Sequence, residues 1–480
     1  MAGPTVAPAV DELLARAADP ARFRRWAKQV RQAGFCEQPV RLVGRVEEAD
    51  IATGEVLSTY TSKAEPDGVT FKACGNRRAS RCRPCSKVYQ RDAWHLVAAG
   101  LRGGKGIPAG VAEHPRLFVT FTAPSFGPVH SRRENGGTVR PCHPRRPSER
   151  CLHGRPAGCW RRHESDDRSL GEPICLDCFD HQAAVIWNAL APALWRRTTI
   201  YLRRELASAA RLTPAELAGL VRVSYAKVAE YQRRGVVHFH ALIRLDAAGD
   251  GERMEPPPPQ FTAEILEHAV REAARRVAVP WPSHPETLGA VPAAGWGDQL
   301  EIHPIAAPQG PEDLSADAVA AYIAKYATKS TEGLGGLDHA VRASSDLGHL
   351  DPGEHVARLV RACWSLGGRP DFAGLRLRQW AHQLGFGGHF LTKSRRYATT
   401  FGALRRARAE YAIRARFNGE PRDAWGRPTG AGGVVILAQW RFAGRGYTTP
   451  ADADLAAGMA EEARVRRQVA REESRTAVCA

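Results

Sequence analysis

The stretch VRVSYAKVAEYQRRGVVHFHALIRLD, Val221 to Asp246, constrains this chain more than any other. Two runs rich in Val, Tyr and Ile flank the polar Gln232, Arg233, Arg234 and Gly235, which predicts a β-hairpin. Side chains alternate along a strand, so His238 and His240 share one face while Phe239 between them turns to the other. With an odd residue or a glycine bulge in the loop, which Gly235 permits, Glu230 faces His238 and lies diagonal to His240. Two imidazoles and one carboxylate then converge with positions left open. Such a set suits Mg²⁺ or Mn²⁺ polarising phosphate oxygens. Histidine pairs on strands are commonly surface polar residues, but these sit in an apolar strand, where an unpaired imidazole is costly. Glu301 and His303, in GDQLEIHPI, are alternates for the third ligand and rank below Glu230.

A suitable nucleophile lies downstream, in SADAVAAYIAKYATKS, Ser315 to Ser330. Ser315 or Asp317 can cap a helix that the following alanines favour. Tyr322 and Tyr326 are four residues apart and so share a helix face, with Lys325 beside them and Lys329 one turn on. A phenol with pKa near 10 needs positive charge nearby to act as a nucleophile, and these lysines make plain burial of that face less attractive.

Charge and cysteine usage bound the rest. The chain has 480 residues, enough for two or three domains, and a formal net charge of +17. That excess points to a polyanionic partner, because neutralising phosphates releases counterions. No stretch approaches the roughly 18 apolar residues of a membrane span, and the first residues carry acids where a secretory signal is basic. A cytoplasmic protein without a membrane partner is expected. Eleven cysteines in such a chain point to metal rather than disulfides. Cys74, Cys82 and Cys85 form one cluster, with Cys36 or His95 as a fourth ligand. A second gathers Cys142, Cys151, His153, Cys159, His163, Cys175, Cys178 and His181. Both suit structural Zn²⁺, since protein ligands alone can fill four positions. Cys363 and Cys479 stand apart.

The motifs VVHFHALI and YIAKYATK together resemble the HUH endonucleases. In that family a His-hydrophobic-His pair holds a divalent metal and a helix-borne tyrosine attacks a DNA phosphodiester. The double-tyrosine form YIAKY resembles rolling-circle replication proteins. CGNRRASRCRPCS, FVTFTAPSFGPVH, ALWRRTT and GFGGHFLTKSRRYATTFGALR extend the likeness to initiators of actinobacterial plasmids and integrative conjugative elements, from about Cys36 to Tyr447. The resemblance implies an α/β (α+β) core with a central antiparallel sheet, a metal at His238, His240 and Glu230, and tyrosine attack by Tyr326 and Tyr322. It implies nicking of origin DNA, a 5′-phosphotyrosyl link and a 3′-hydroxyl primer. Tyr326 is favoured for the first cut, Tyr322 for termination, and Lys325 would steady phosphate or phenolate. A relaxase or transposase would share this site. A non-enzymatic zinc regulator would explain charge and cysteines but leave YIAKY idle. No G-x-x-x-x-G-K-[ST] occurs, so a host helicase and polymerase are expected partners.

Along the chain, residues 1–110 read as helices and short strands leading to the first cysteine cluster, and 111–131 as the first core strand, RLFVTFTAP. Residues 132–181 read as a zinc-stapled insertion, and 182–345 as the nuclease core. LTPAELAGL before the hairpin imitates a helix-turn-helix, but the β-branched density after Val221 argues against one. Gly333 to Gly353 reads as a mobile loop. Residues 346–450 form a basic region in which Lys393, Arg395, Arg396, Arg405 and Arg406, interleaved with Phe390, Tyr397 and Phe401, are expected to bind single-stranded DNA. Residues 451–480 read as a charged helical tail.

Overall fold

The computed structural model describes residues 10–50, 53–249, 254–282, 292–305, 315–329, 340–343, 347, 353–416 and 434–479. Two compact units result, residues 1–91 with 402–480, and residues 92–401. Most of the expected loop Gly333–Gly353 lies outside the described residues. No helix among them is long and apolar enough to cross a membrane.

Helices α1 (Val10–Ala17) and α2 (Pro20–Gln32) break at Pro20, where Asp19 accepts the backbone N–H of Ala21 and Arg22 as an N-cap. Strands β1 (Val40–Asp50), β2 (Val56–Thr61) and β3 (Thr70–Lys72) follow, then helix α3 (Arg83–Arg102).

The second unit continues with β4 (Arg116–Phe121) and a small hairpin, β5 (Arg133–Asn135) and β6 (Thr138–Arg140), within the cysteine-bearing insertion. Next come α4 (His181–Ala209), α5 (Pro214–Leu220), β7 (Val221–Tyr231) and β8 (Val237–Ala247). Helix α5 opens on a Thr213–Glu216 capping box and stops where Val221 turns extended, so no helix-turn-helix forms. Helix α6 (Ala263–Arg276), the short pair β9 (Val279–Pro280) and β10 (Ala293–Ala294), and β11 (Leu300–Pro304) lead to α7 (Ala316–Ala327). Helix α8 (Glu354–Leu366) and β12 (Leu391–Lys393) complete the unit. Helix α9 (Phe401–Arg416), β13 (Val434–Arg445) and α10 (Pro450–Cys479) close the chain, and β13 pairs antiparallel with β1.

The central sheet is antiparallel, in the order β11-β4-β8-β7-β12. Its register gives the two faces different work. Val223, Ala229, Phe239, Ala241, Ile243 and Leu245 point one way, into a core with Trp187, Leu194 and Trp195 of α4 and Leu266 and Val270 of α6. Glu230, His238 and His240 point the other way, where α7 packs against β7. The buried Asn188 of α4 fixes the hairpin's turn: its Nδ2 donates to the carbonyls of Gly235 and Leu384, both at 2.9 Å, and its Oδ1 accepts from Val237 N at 3.0 Å. At Gly235 φ is +79°, a left-handed conformation that favours glycine.

Candidate metal and tyrosine site

Five residues, Gln232 to Val236, separate the hairpin strands, and Glu230 therefore pairs directly with His238. Glu230 Oε2 lies 3.0 Å from both His238 Nε2 and His240 Nε2, and one ligand atom from each of the three lies within 4.8 Å of the others. Glu301 and His303 share this face but sit on β11, beyond β4, two strand spacings or about 10 Å from β8. Distance therefore separates them from the triad.

Two residues that the sequence reading missed complete the frame. Thr120 pairs with His240 across β4–β8 and places Oγ1 3.0 Å from His240 Nδ1. An Nδ1–H held there leaves the Nε2 lone pair directed at the group. Phe118, two residues earlier, stacks on the His240 ring at 5.8 Å and meets Tyr322 edge-on. The signal was available in period-2 spacing on RLFVTF, once β4 is set beside β8.

Ser315 caps α7 by accepting from Ala318 N. Ile323, Ala324 and Ala327 face inward, and the phenols lean over the triad. Tyr322 Oη is 3.3 Å from His240 Nε2, and the two phenol rings are 4.5 Å apart. Tyr322 is nevertheless 37% exposed, so the phenols line an open face. Lys325 is exposed, with Nζ 5.7 Å from the Tyr326 ring centre. Lys329 stands closer, 4.4 Å from that ring and 3.9 Å from Glu230 Oε1.

Burial raises the Glu230 carboxyl, but the imidazoles of His238 and His240 beside it outweigh that and hold the group below its ordinary value. Burial pushes the His240 imidazole down against the pull of Glu230, favouring the neutral, ligating form. Burial, Tyr326 and Glu230 push the Tyr322 phenol up, and burial and Glu230 do the same to Tyr326.

The cysteines gather into three further groups. Cys36, rather than His95, joins Cys74, Cys82 and Cys85, with Cys36 Sγ 3.7 Å from Cys82 Sγ and 3.6 Å from Cys85 Sγ. The single cluster expected downstream is two: His130, Cys142, Cys159 and His163, and Cys151, His153, Cys175 and Cys178. His130 was missed because it precedes Cys142 by twelve residues, outside any ligand-pair spacing. His181 is not in either group. It opens α4, and its Nε2 meets His355 Nδ1 at 3.1 Å, while burial and His355 push its pKa down to about 4. Cys363 is fully buried in α8, and the Cys479 side chain lies outside the described residues.

The basic run is corrected in part. Phe390 and Tyr397 are buried, Phe390 in the apolar core and Tyr397 against Gly100, so neither ring is free to stack on bases. Lys393 Nζ is turned to the carbonyls of Ser394 and Arg395, and Arg396 donates to Gly249 O. Arg395 is exposed, as are Arg405 and Arg406 on α9, which fall in the other compact unit.

Residues 22–461 match the family RepSA, described as the replication initiator protein of pSAM2. The chain belongs to this family. It is also 42% identical over 469 residues to a replication initiator protein of Streptomyces ambofaciens, covering 96% of this chain and 94% of that one. A replication-initiator function follows from membership. No solved structure matched the chain.

Proposed function

We propose that this RepSA-family initiator nicks origin DNA by tyrosine attack, in the manner of the HUH endonucleases that its motifs resemble. One observation carries the reading: Glu230, His238 and His240 converge within 4.8 Å beneath two phenols on a partly exposed face. The set of two imidazoles and one carboxylate fits Mg²⁺ or Mn²⁺, and Thr120 Oγ1, 3.0 Å from His240 Nδ1, can accept its proton in the tautomer that a ligand needs. When bound, such an ion withdraws charge from phosphate oxygens and favours attack at phosphorus.

The chain's own groups supply the rest. Helix α7 holds both phenols at the site, so one nucleophile is already positioned when the strand arrives. The phenol oxygen bonds to phosphorus, the bond from phosphorus to the 3′-oxygen breaks, and that oxygen takes up a proton as the phenol loses its own. A 5′-phosphotyrosyl link and a 3′-hydroxyl primer remain. Tyr326 takes the opening cut in this reading, since the ammonium groups of Lys325 and Lys329 stand 5.7 and 4.4 Å from its ring centre and oppose the burial and the Glu230 charge that raise its phenol. Tyr322 then accepts the strand after one round and closes the circle. Host helicase and polymerase would open and copy the duplex, and the four-thiol group at Cys36 would hold structural Zn²⁺.

The test is a covalent adduct. Full-length protein incubated with an origin oligonucleotide and Mn²⁺ should carry DNA through denaturing electrophoresis. Tyr326→Phe should lose that adduct, and Tyr322→Phe should keep it but accumulate unclosed product. Peptide mapping that finds the link only at Tyr322 reverses the order of the tyrosines. An adduct that survives in the double Phe variant ends the tyrosine mechanism.

A further inference from the structure

The insertion between β4 and α4 has almost no apolar interior. Of residues 131–180, six are buried, and four of these are Cys142, Cys159, His163 and Cys175. A polar segment of this size cannot hold a fold by apolar burial and needs another staple. Its candidate ligands alternate along the chain in pairs. His130 and Cys142 belong to one group, Cys151 and His153 to the second, Cys159 and His163 to the first, Cys175 and Cys178 to the second. Each group therefore closes a loop that carries ligands of the other.

The spacings suit tetrahedral zinc. Ligands at about 2.3 Å for sulfur and 2.0–2.1 Å for nitrogen leave sulfur and nitrogen about 3.6 Å apart. Cys159 Sγ to His163 Nε2 is 3.5 Å, Cys175 Sγ to His153 Nδ1 3.9 Å, and Cys142 Sγ to His130 Nδ1 4.0 Å. Ser131 N donates to Cys142 Sγ at 3.1 Å, as a thiolate invites. His163 Nδ1 rests on Asp167 Oδ2 at 2.7 Å, the carboxylate–histidine support typical of bound zinc.

Both groups lead to the hairpin's turn. From the first, the Asp167 carbonyl accepts Arg233 Nη1 at 2.8 Å. Gly171 packs so closely that a Cβ there would stand 2.2 Å from Arg233 Cβ. From the second, Cys178 adjoins Phe179, whose ring meets His355 edge-on at 4.8 Å, and His355 Nε2 donates to the Arg234 carbonyl at 3.0 Å. Arg233 and Arg234 follow Glu230 by three and four residues, and His238 comes four after Arg234.

We propose that the insertion is a cross-braced module holding two Zn²⁺ ions, and that it clamps the Arg233–Arg234 turn so that Glu230, His238 and His240 converge. The clamp rests on reading those three residues as a divalent-cation site; the zinc module does not.

Zinc counts from native mass spectrometry of the full chain test the module. Wild type should carry three zinc ions, two here and one at Cys36. Cys159→Ser and Cys175→Ser should each release both module ions, whereas Cys82→Ser should release one. His130→Ala should lose zinc, and His143→Ala should not, although His143 Nδ1 lies 3.3 Å from Cys142 Sγ. A wild-type count of one, or module variants that each lose one ion and hold the other unchanged, overturns the cross-brace. Manganese titration calorimetry tests the clamp. Arg233→Ala, with its zinc count and melting temperature intact, should bind Mn²⁺ at least about fivefold more weakly, the lower end of ordinary coupling energies. Wild-type affinity in that variant overturns the clamp. Wild type that keeps three zinc ions yet binds no Mn²⁺ overturns the hairpin reading and the clamp together, and leaves the module standing.

Discussion

Two carboxylates sit on the same face of one hairpin, Glu230 opposite His238 and Asp246 eight residues farther along that strand, and they are treated in opposite ways. Asp246 is fully buried, and each of its oxygens has two donors. Oδ1 accepts from His114 Nδ1 at 2.8 Å and Arg244 Nε at 2.7 Å, and Oδ2 from Ser224 Oγ at 2.6 Å and Arg244 Nη2 at 3.1 Å. Glu230 gathers two imidazoles on Oε2 and meets Lys329 at 3.9 Å on Oε1, beside partly exposed phenols. One cluster spends its capacity on itself. The other points its ligand atoms at a shared position and leaves a side open, which is what a cation and a phosphate need.

The largest effect should come from the closed cluster. Asp246→Asn leaves the Arg244 guanidinium buried without its anion, a loss of about 3–5 kcal/mol, read as a lower urea midpoint. Hydrogen bonds from His114, Arg244 and Ser224 outweigh burial and hold this carboxyl at about 2, against 3.8 ordinarily. A depressed carboxylate stabilises the fold above its ordinary pKa. That contribution should fade as pH falls from about 4 toward 2 in wild type, and the Asn variant should lack the step. An unchanged midpoint in the variant would erase the contrast from the structural side.

Next in size, His238→Ala and His240→Ala should each lower divalent-ion-dependent nicking at least about tenfold, with a smaller fall in stability than Asp246→Asn. Loss of stability matching that of Asp246→Asn, with nicking normal per folded molecule, would make the triad a second structural network.

The open cluster was the more legible of the two, for a physical reason. Period-2 alternation is a local rule, so the hairpin, its histidines and the parity of Glu230 can be read within one run of sequence. Helical spacing does the same for Tyr322 and Tyr326. The closed cluster depends on His114, which reaches Asp246 across 132 residues, and nothing local announces that. Long-range pairing also hid the β1–β13 ladder, where Val40 meets Arg445. It hid the burial of Phe390 and Tyr397, whose aromatic–basic pattern is the same whether rings face solvent or the core. Cysteine spacing marked candidate metal ligands but not their partition, because interleaved pairs look like one cluster until the chain is folded.

Thr120 supplies the smallest and sharpest test, because it lies between ligand and scaffold. Its Oγ1 is 3.0 Å from Nδ1 of His240, whose side is walled by Phe118 and which is 2% exposed. A neutral imidazole has one proton for two nitrogens, and only the nitrogen without it can bind a cation. With Thr120 accepting at Nδ1, the free lone pair is on Nε2, the atom facing Glu230. Thr120→Val keeps the shape of the side chain and removes the acceptor. The Nδ1 proton is then buried without a partner, and the tautomer protonated at Nε2, already 3.0 Å from the Glu230 carboxylate, gains population. Mn²⁺ affinity should fall about tenfold, the low end for loss of a residue supporting a metal ligand. Thr120→Ser, which restores the oxygen but not the methyl group, should recover most of it. A purely packing role predicts the reverse order, with Val near wild type and Ser impaired, and that result would detach Thr120 from the site and leave the contrast between the two carboxylates to Glu230 and its histidines alone.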